Sequence, residues 1–150
     1  MSGKTQFLVT ILLKKLIYPF PERIILVYDE WQSAYELLKE KFENKIEFLK
    51  GPISTELYES ISRNVRNLLI LDDQMVSSSK SDDLSKFFVQ GAHHRNLTII
   101  FIVQNIFCQG KSMRTTSINS NYIILFKNPR DNLQPAILAR QIFPSKWKAF

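Results

Sequence analysis

Three short stretches carry residue types that could handle a phosphate and a metal ion. Ser2-Gly3-Lys4-Thr5 matches the last four positions of the pattern G-x-x-x-x-G-K-[ST]. Backbone N–H groups at a helix start can hold phosphate oxygens. A lysine there reaches the β- and γ-phosphates, and a hydroxyl one residue later can bind Mg²⁺. Leu68-Leu69-Ile70-Leu71-Asp72-Asp73 is an apolar run ending in two carboxylates. Asp72 could hold Mg²⁺, directly or through water, and Asp73 could orient or deprotonate an attacking water. Phe101-Ile102-Val103-Gln104-Asn105 is a second apolar run, ending in two amides. Gln104 could bond a γ-phosphate or the attacking water.

Each stretch alone has a plainer use. A GKT tripeptide can simply begin a basic helix, and the first Gly of the motif is absent. An acidic strand end can be a solvated turn, and a terminal amide can cap one. The order of the three along the chain is what favours the chemical reading.

Four arginines follow the second stretch: Arg95, Arg114, Arg130 and Arg140. An arginine from a neighbouring subunit can stabilise charge on a transferring phosphoryl group. Arg114 is preferred, because it lies in the polar stretch 110–121 just past the Gln104 strand. For the other three, a solvated or DNA-facing role is expected. His93 and His94 are adjacent and so point in different directions, which makes a poor metal pair. Trp31 and Tyr35 are expected to pack in the core.

The elements that must position these groups alternate. Strands are expected at 24–28, 46–49, 68–71, 98–103 and 122–126. All are nearly continuously apolar, as in a parallel sheet covered on both faces. A first helix is expected from Lys4 to about Ile17. A second carries the stripe Trp31, Ala34, Tyr35, Leu38 and Phe42. Ser54 can cap a short helix with Leu57 and Ile61, and Asp82 another with Leu84, Phe87 and Phe88. Asp131 or Asn132 can cap the last, with Pro135 in its first turn and Pro144 beyond its end. Strand–helix alternation of this kind implies α/β layering.

Composition narrows the partners. The chain has 150 residues and a formal charge of +6, with 45% hydrophobic residues. A packed domain is therefore expected, and a disordered or fibrous chain is excluded. A single cysteine, Cys108, excludes an internal disulfide framework and a cysteine-based zinc site. No apolar run is long enough to span a bilayer. Residues 1–83 carry 11 basic and 13 acidic side chains, net −2, whereas 84–150 carry 9 basic and one acidic, net +8. That one-sided balance favours a polyanionic partner.

The fuller strings "LLILDDQM", "FFVQGAHHRNLTIIFIVQNIF", "GKSMRTTSINSNYIILFKNPRD" and "LARQIFP" resemble the FtsK/HerA-type genome-packaging ATPases of Polinton/Maverick elements and adintovirus-like viruses. The poxvirus packaging ATPase is a more distant relative. The resemblance runs from Ser2 to Pro144 and is most specific over 91–131. It implies a single P-loop ATPase domain over 1–150, of the additional-strand, RecA-like kind. The fold expected is a three-layer α/β/α arrangement with a mostly parallel sheet. The family's first strand and the front of its phosphate loop are not among these 150 residues, so the domain is read as incomplete at its N-terminus.

The resemblance further implies an ATP- and Mg²⁺-dependent motor that moves double-stranded DNA into a capsid. Ser2, Gly3, Lys4 and Thr5 would bind nucleotide, and Thr5 and Asp72 the metal. Asp73, Gln104 and Arg114 would be catalytic. Duplex DNA would meet the basic half, first at Lys111, Arg114, Lys127 and Arg130. The partners implied are a homo-oligomeric ring and capsid or portal-vertex proteins, with no membrane. The setting implied is intracellular, in a host nucleus or cytoplasmic virus factory, or on the virion. With the loop incomplete, a second activity stays open: a remnant that binds DNA or a partner through its basic half without turnover. A nucleotide kinase is the weaker third reading, since no arginine-rich lid is visible and paired Asp72 and Asp73 favour hydrolysis.

Overall fold

The computed structural model describes residues 3–72, 86–91, 95–105, 116–128 and 131–149. Its centre is a four-stranded sheet in which every pairing is parallel. The strands are β1 (Arg23–Tyr28), β2 (Ile46–Lys50), β3 (Asn67–Asp72) and β4 (Leu97–Ile102), in the order β2-β1-β3-β4. The helices are α1 (Lys4–Leu13), α2 (Ala34–Lys41), α3 (Thr55–Ser60) and α4 (Leu133–Ile142). A π-helical turn covers Phe87–Gly91 and a 3-10 turn covers Trp147–Ala149.

Alternation along the strands divides the core in two. Ile24, Leu26, Leu68 and Ile70 face one way, against Leu8, Val9 and Leu12 of α1 and Tyr35 and Leu38 of α2. Ile25, Val27, Leu69 and Leu71 face the other, against Ile53, Ile61, Phe87 and Phe88. The result is an α/β/α sandwich. β3 is buried at every position because it has a neighbour on each side and a layer on each face. Burying each such aliphatic side chain stabilises the fold by about 1.5–3 kcal/mol.

Strand ends fall within a residue or so of the positions expected at 24–28, 46–49, 68–71 and 98–103. Three expectations change. First, α1 stops at Leu13 rather than near Ile17. Lys15 takes a left-handed φ of 49°. Its N–H donates to the Leu12 carbonyl, and Leu16 N–H donates back to Ile11. This paired closure ends the helix without a glycine.

Second, 122–126 does not join the sheet. Tyr122 is 90% exposed, and β4 pairs only with β3 among the described residues. An apolar run becomes a strand only beside an edge that bonds it, and no described strand lies alongside this one. Its Phe126 instead meets Phe7 of α1 edge-on, with ring centroids 5.5 Å apart. Third, Trp31 lies outside α2 and is 41% exposed, although it contacts Tyr28, Tyr35 and Phe48.

Caps follow the expected chemistry where they are described. The Ser54 hydroxyl accepts from Leu57 N–H at 3.3 Å. At α4, Asp131 rather than Asn132 does the capping, accepting from Leu133 and Gln134 N–H. The expected Asp82 cap lies outside the described residues.

Candidate functional site

After β1 the chain adds β2 on one side, then returns to place β3 on the other side of β1. In open parallel sheets, ligands bind beyond the carboxyl ends of strands at such a reversal. Here those ends are Tyr28 and Asp72, which pair across the ladder.

Asp72 is the last residue of β3 and is 2% exposed. Its Oδ2 receives hydrogen bonds from the Tyr35 hydroxyl at 2.6 Å, the Thr5 hydroxyl at 3.2 Å and Gln32 Nε2 at 3.3 Å. The donors come from α2, the first turn of α1 and the loop after β1. These bonds compensate the loss of water around a buried carboxylate. Thr5 arrives because Leu8, Val9 and Leu12 fix α1 on the sheet with its N-terminus at the carboxyl edge.

Gly3 caps α1 with a left-handed φ of 75° and no side-chain acceptor. The first-turn N–H groups of a helix have no partner within it, so this end can receive an anion. Lys4 Nζ donates to the Val103 carbonyl at 3.1 Å, just past β4. Ile102 pairs with Asp72, so the exposed Gln104 follows β4 at the same sheet edge.

The structure thus gathers Gly3, Lys4 and Thr5 with Asp72 and the end of β4. Ser2, Asp73, Lys111, Arg114 and Arg130 lie outside the described residues, as do His93 and His94. Lys127 is exposed and follows Phe126, the ring that meets Phe7 of α1. Arg95 is not a solvated or DNA-facing cation. Its guanidinium sits 4.4 Å from the Tyr58 ring centroid and donates to the Glu59 and Ile61 carbonyls. The Arg140 guanidinium stacks 4.2 Å from the Trp147 ring.

Sequence reasoning missed Gln32 and Tyr35. Tyr35 occupies an apolar position of α2 and does pack in the core, as expected. The one local hint was chemical: a buried tyrosine hydroxyl needs a partner.

The oxygens of Thr5 and Asp72 are hard donors at hydrogen-bonding distance. Among the described residues, no three His, Cys, Asp or Glu side chains converge on a metal. Oxygens of this kind could serve a hard cation such as Mg²⁺, which takes one or two protein oxygens and completes its shell with water and phosphate.

Fold and site together define an α/β domain with an all-parallel sheet and a hydroxyl–carboxylate pair at its carboxyl edge. No family model, curated protein or solved structure matches the chain. No helix among the described residues is long and apolar enough to cross a membrane.

Proposed function

We propose that this chain is the ATP-hydrolysing domain of a motor that packages or translocates double-stranded DNA into a capsid, of the FtsK/HerA-type P-loop kind. The observation that carries the reading is the Thr5–Asp72 hydrogen bond, which joins the GKT helix start to the acidic strand end. Two separate sequence patterns, one suited to phosphate and one to a metal, thus meet at one sheet edge.

The roles follow from chemistry. Lys4 and the first-turn N–H groups of α1 would bind phosphate oxygens. Thr5 and Asp72 would hold Mg²⁺, which when bound neutralises charge on the phosphates. Asp73 would orient or deprotonate the attacking water, and Gln104 would contact the γ-phosphate or that water. Arg114, supplied by the neighbouring subunit of a ring, would stabilise charge on the transferring phosphoryl group. Lys111, Arg114, Lys127 and Arg130 in the basic half would meet duplex DNA. Capsid or portal-vertex proteins would be the further partners. The setting would be intracellular or on the virion.

The test is Mg²⁺-dependent phosphate release from ATP, with and without duplex DNA, by the chain and by Lys4→Ala. DNA-stimulated release that Lys4→Ala loses supports the motor. Release that Lys4→Ala leaves unchanged overturns it. Duplex binding indifferent to ATP and to Asp73→Asn, with no release, points instead to a binding module without turnover.

A further inference from the structure

Asp72 has two carboxylate oxygens, and the Tyr35, Thr5 and Gln32 bonds all fall on one of them, Oδ2. Thr5 belongs to the GKT helix start. Tyr35 and Gln32 come from elsewhere, and neither has an assigned role in phosphate chemistry. We propose that Tyr35 and Gln32 are positioning residues, which clamp Oδ2 so that Oδ1 is presented to the metal of the nucleotide. The inference rests on the nucleotide reading of the site and names residues that govern its metal.

The short bond identifies the principal member. Tyr35 Oη lies 2.6 Å from Oδ2, the range of a hydroxyl donating to a carboxylate. The Tyr35 ring is fully buried against Leu38, Ile24 and Leu26, so the hydroxyl has little freedom to move. Its ring is also flanked by Trp31, with centroids 5.4 Å apart at 85°, and by Phe48 at 6.1 Å. Trp31 is in turn held by a 2.9 Å bond from its Nε1 to Glu36. Gln32 follows Trp31 directly, so the same aromatic cluster steadies both members. Removing a group that hydrogen-bonds and orients a metal ligand typically lowers metal affinity roughly 10–100-fold.

The fixed oxygen has a chemical consequence. A carboxylate left to rotate presents either oxygen and must be ordered when the metal arrives. One held by a phenol and an amide is ordered beforehand, so metal binding avoids that entropic cost. Removing the phenol should therefore weaken the metal and leave metal-free nucleotide contacts to Lys4 and the α1 N-terminus intact.

The experiment is a Mn²⁺ titration of the full chain with ATP, read by the loss of the free-ion paramagnetic resonance signal. ATP affinity in EDTA is measured beside it. Tyr35→Phe deletes only the hydroxyl, and its Mn²⁺ half-saturation is expected to rise about tenfold with ATP affinity in EDTA unchanged. Gln32→Leu, at a partly exposed position where folding is not at stake, should give a smaller rise of about threefold. It carries the test if Tyr35→Phe does not fold. Unchanged Mn²⁺ affinity in a folded variant overturns the clamp but not the nucleotide site. Equal loss of Mn²⁺ and metal-free ATP binding also overturns it, by showing a structural role. No ATP binding by the unsubstituted chain overturns the nucleotide reading, and the clamp with it.

Discussion

The Thr5 hydroxyl donates to Asp72 Oδ2 across 3.2 Å, joining residues 67 positions apart. It ties the first turn of α1 to the carboxyl end of β3. A hydroxyl and a carboxylate in contact at a sheet edge can share one hard cation without moving either element.

That relationship separates two substitutions at Asp72. Asp72→Asn keeps an acceptor for Tyr35 and Thr5, so the fold should survive while Mg²⁺-dependent hydrolysis is lost. Asp72→Ala removes the buried acceptor that Tyr35, Thr5 and Gln32 share. It should cost about 1–3 kcal/mol of stability, the usual penalty for losing one partner of a buried hydrogen bond. Urea unfolding of both variants checks this. Equal stability of Asp72→Ala and the unsubstituted chain would show that the cluster contributes nothing.

Lys4 is predicted to act on phosphate rather than on the fold. Its Nζ donates to the Val103 carbonyl, and the side chain is partly exposed. Lys4→Ala should leave the thermal midpoint within a degree or two. It should lower the turnover number for ATP by roughly 10²–10³, the usual loss for one preorganised charge-stabilising donor. Steady-state phosphate release and calorimetry together decide it.

Gly3 has a conformational requirement. Its φ of 75° is one that a side chain rarely adopts, although a Cβ there would meet only Phe126, at 4.0 Å. Gly3→Ala should therefore cost about 1–2 kcal/mol through backbone strain, not through a clash. If urea unfolding shows no loss, the left-handed start of α1 is not needed.

Two helix starts should respond to acid. A hydrogen bond from the Ser54 side chain lowers the pKa of Glu56 below its ordinary 4.5. Hydrogen bonds from the Gln134 side chain, then from backbone N–H groups, lower that of Asp131 below 3.8. Both groups have folded values below their unfolded ones. Their contributions are complete above the unfolded values and are lost as pH falls through the folded ones. NMR titration of the carboxyl carbons should show midpoints below these ordinary values. Ser54→Ala should raise the first, and Gln134→Leu the second.

Duplex binding should depend on the basic half and weaken with salt. Lys127 is exposed, so Lys127→Ala should reduce the slope of log affinity against log salt by about 1 if it meets a phosphate. The same measurement applies to Lys111, Arg114 and Arg130. Arg95→Ala should act differently, because its guanidinium braces Tyr58 and two carbonyls. It should lower stability and leave the salt slope unchanged.

By itself, the sequence determined the layer architecture and most of the local elements. Continuous apolar runs at 68–71 and 98–103 became strands with packed groups on both faces, as expected because a half-solvated strand alternates. Ser54, and the pair Asp131 and Asn132, announced their helices through capping chemistry that is complete within a few residues. The helix start at Lys4 and the acidic end of β3 were legible for the same reason.

Only the tertiary structure decided which groups meet. Thr5, Gln32 and Tyr35 reach Asp72 because strand order, ladder register and the docking of α1 and α2 bring three distant segments to one point. None of those quantities is encoded in a local pattern. The apolar run at 122–126 reads like the sheet strands, yet it stays out of the sheet. A strand is a property of two neighbours, so one segment's composition cannot supply the edge it must bond. Arg95 reads as a solvated or DNA-facing cation and Tyr35 as a core ring. Packing made the first a brace and gave the second a hydrogen bond to the site's buried carboxylate.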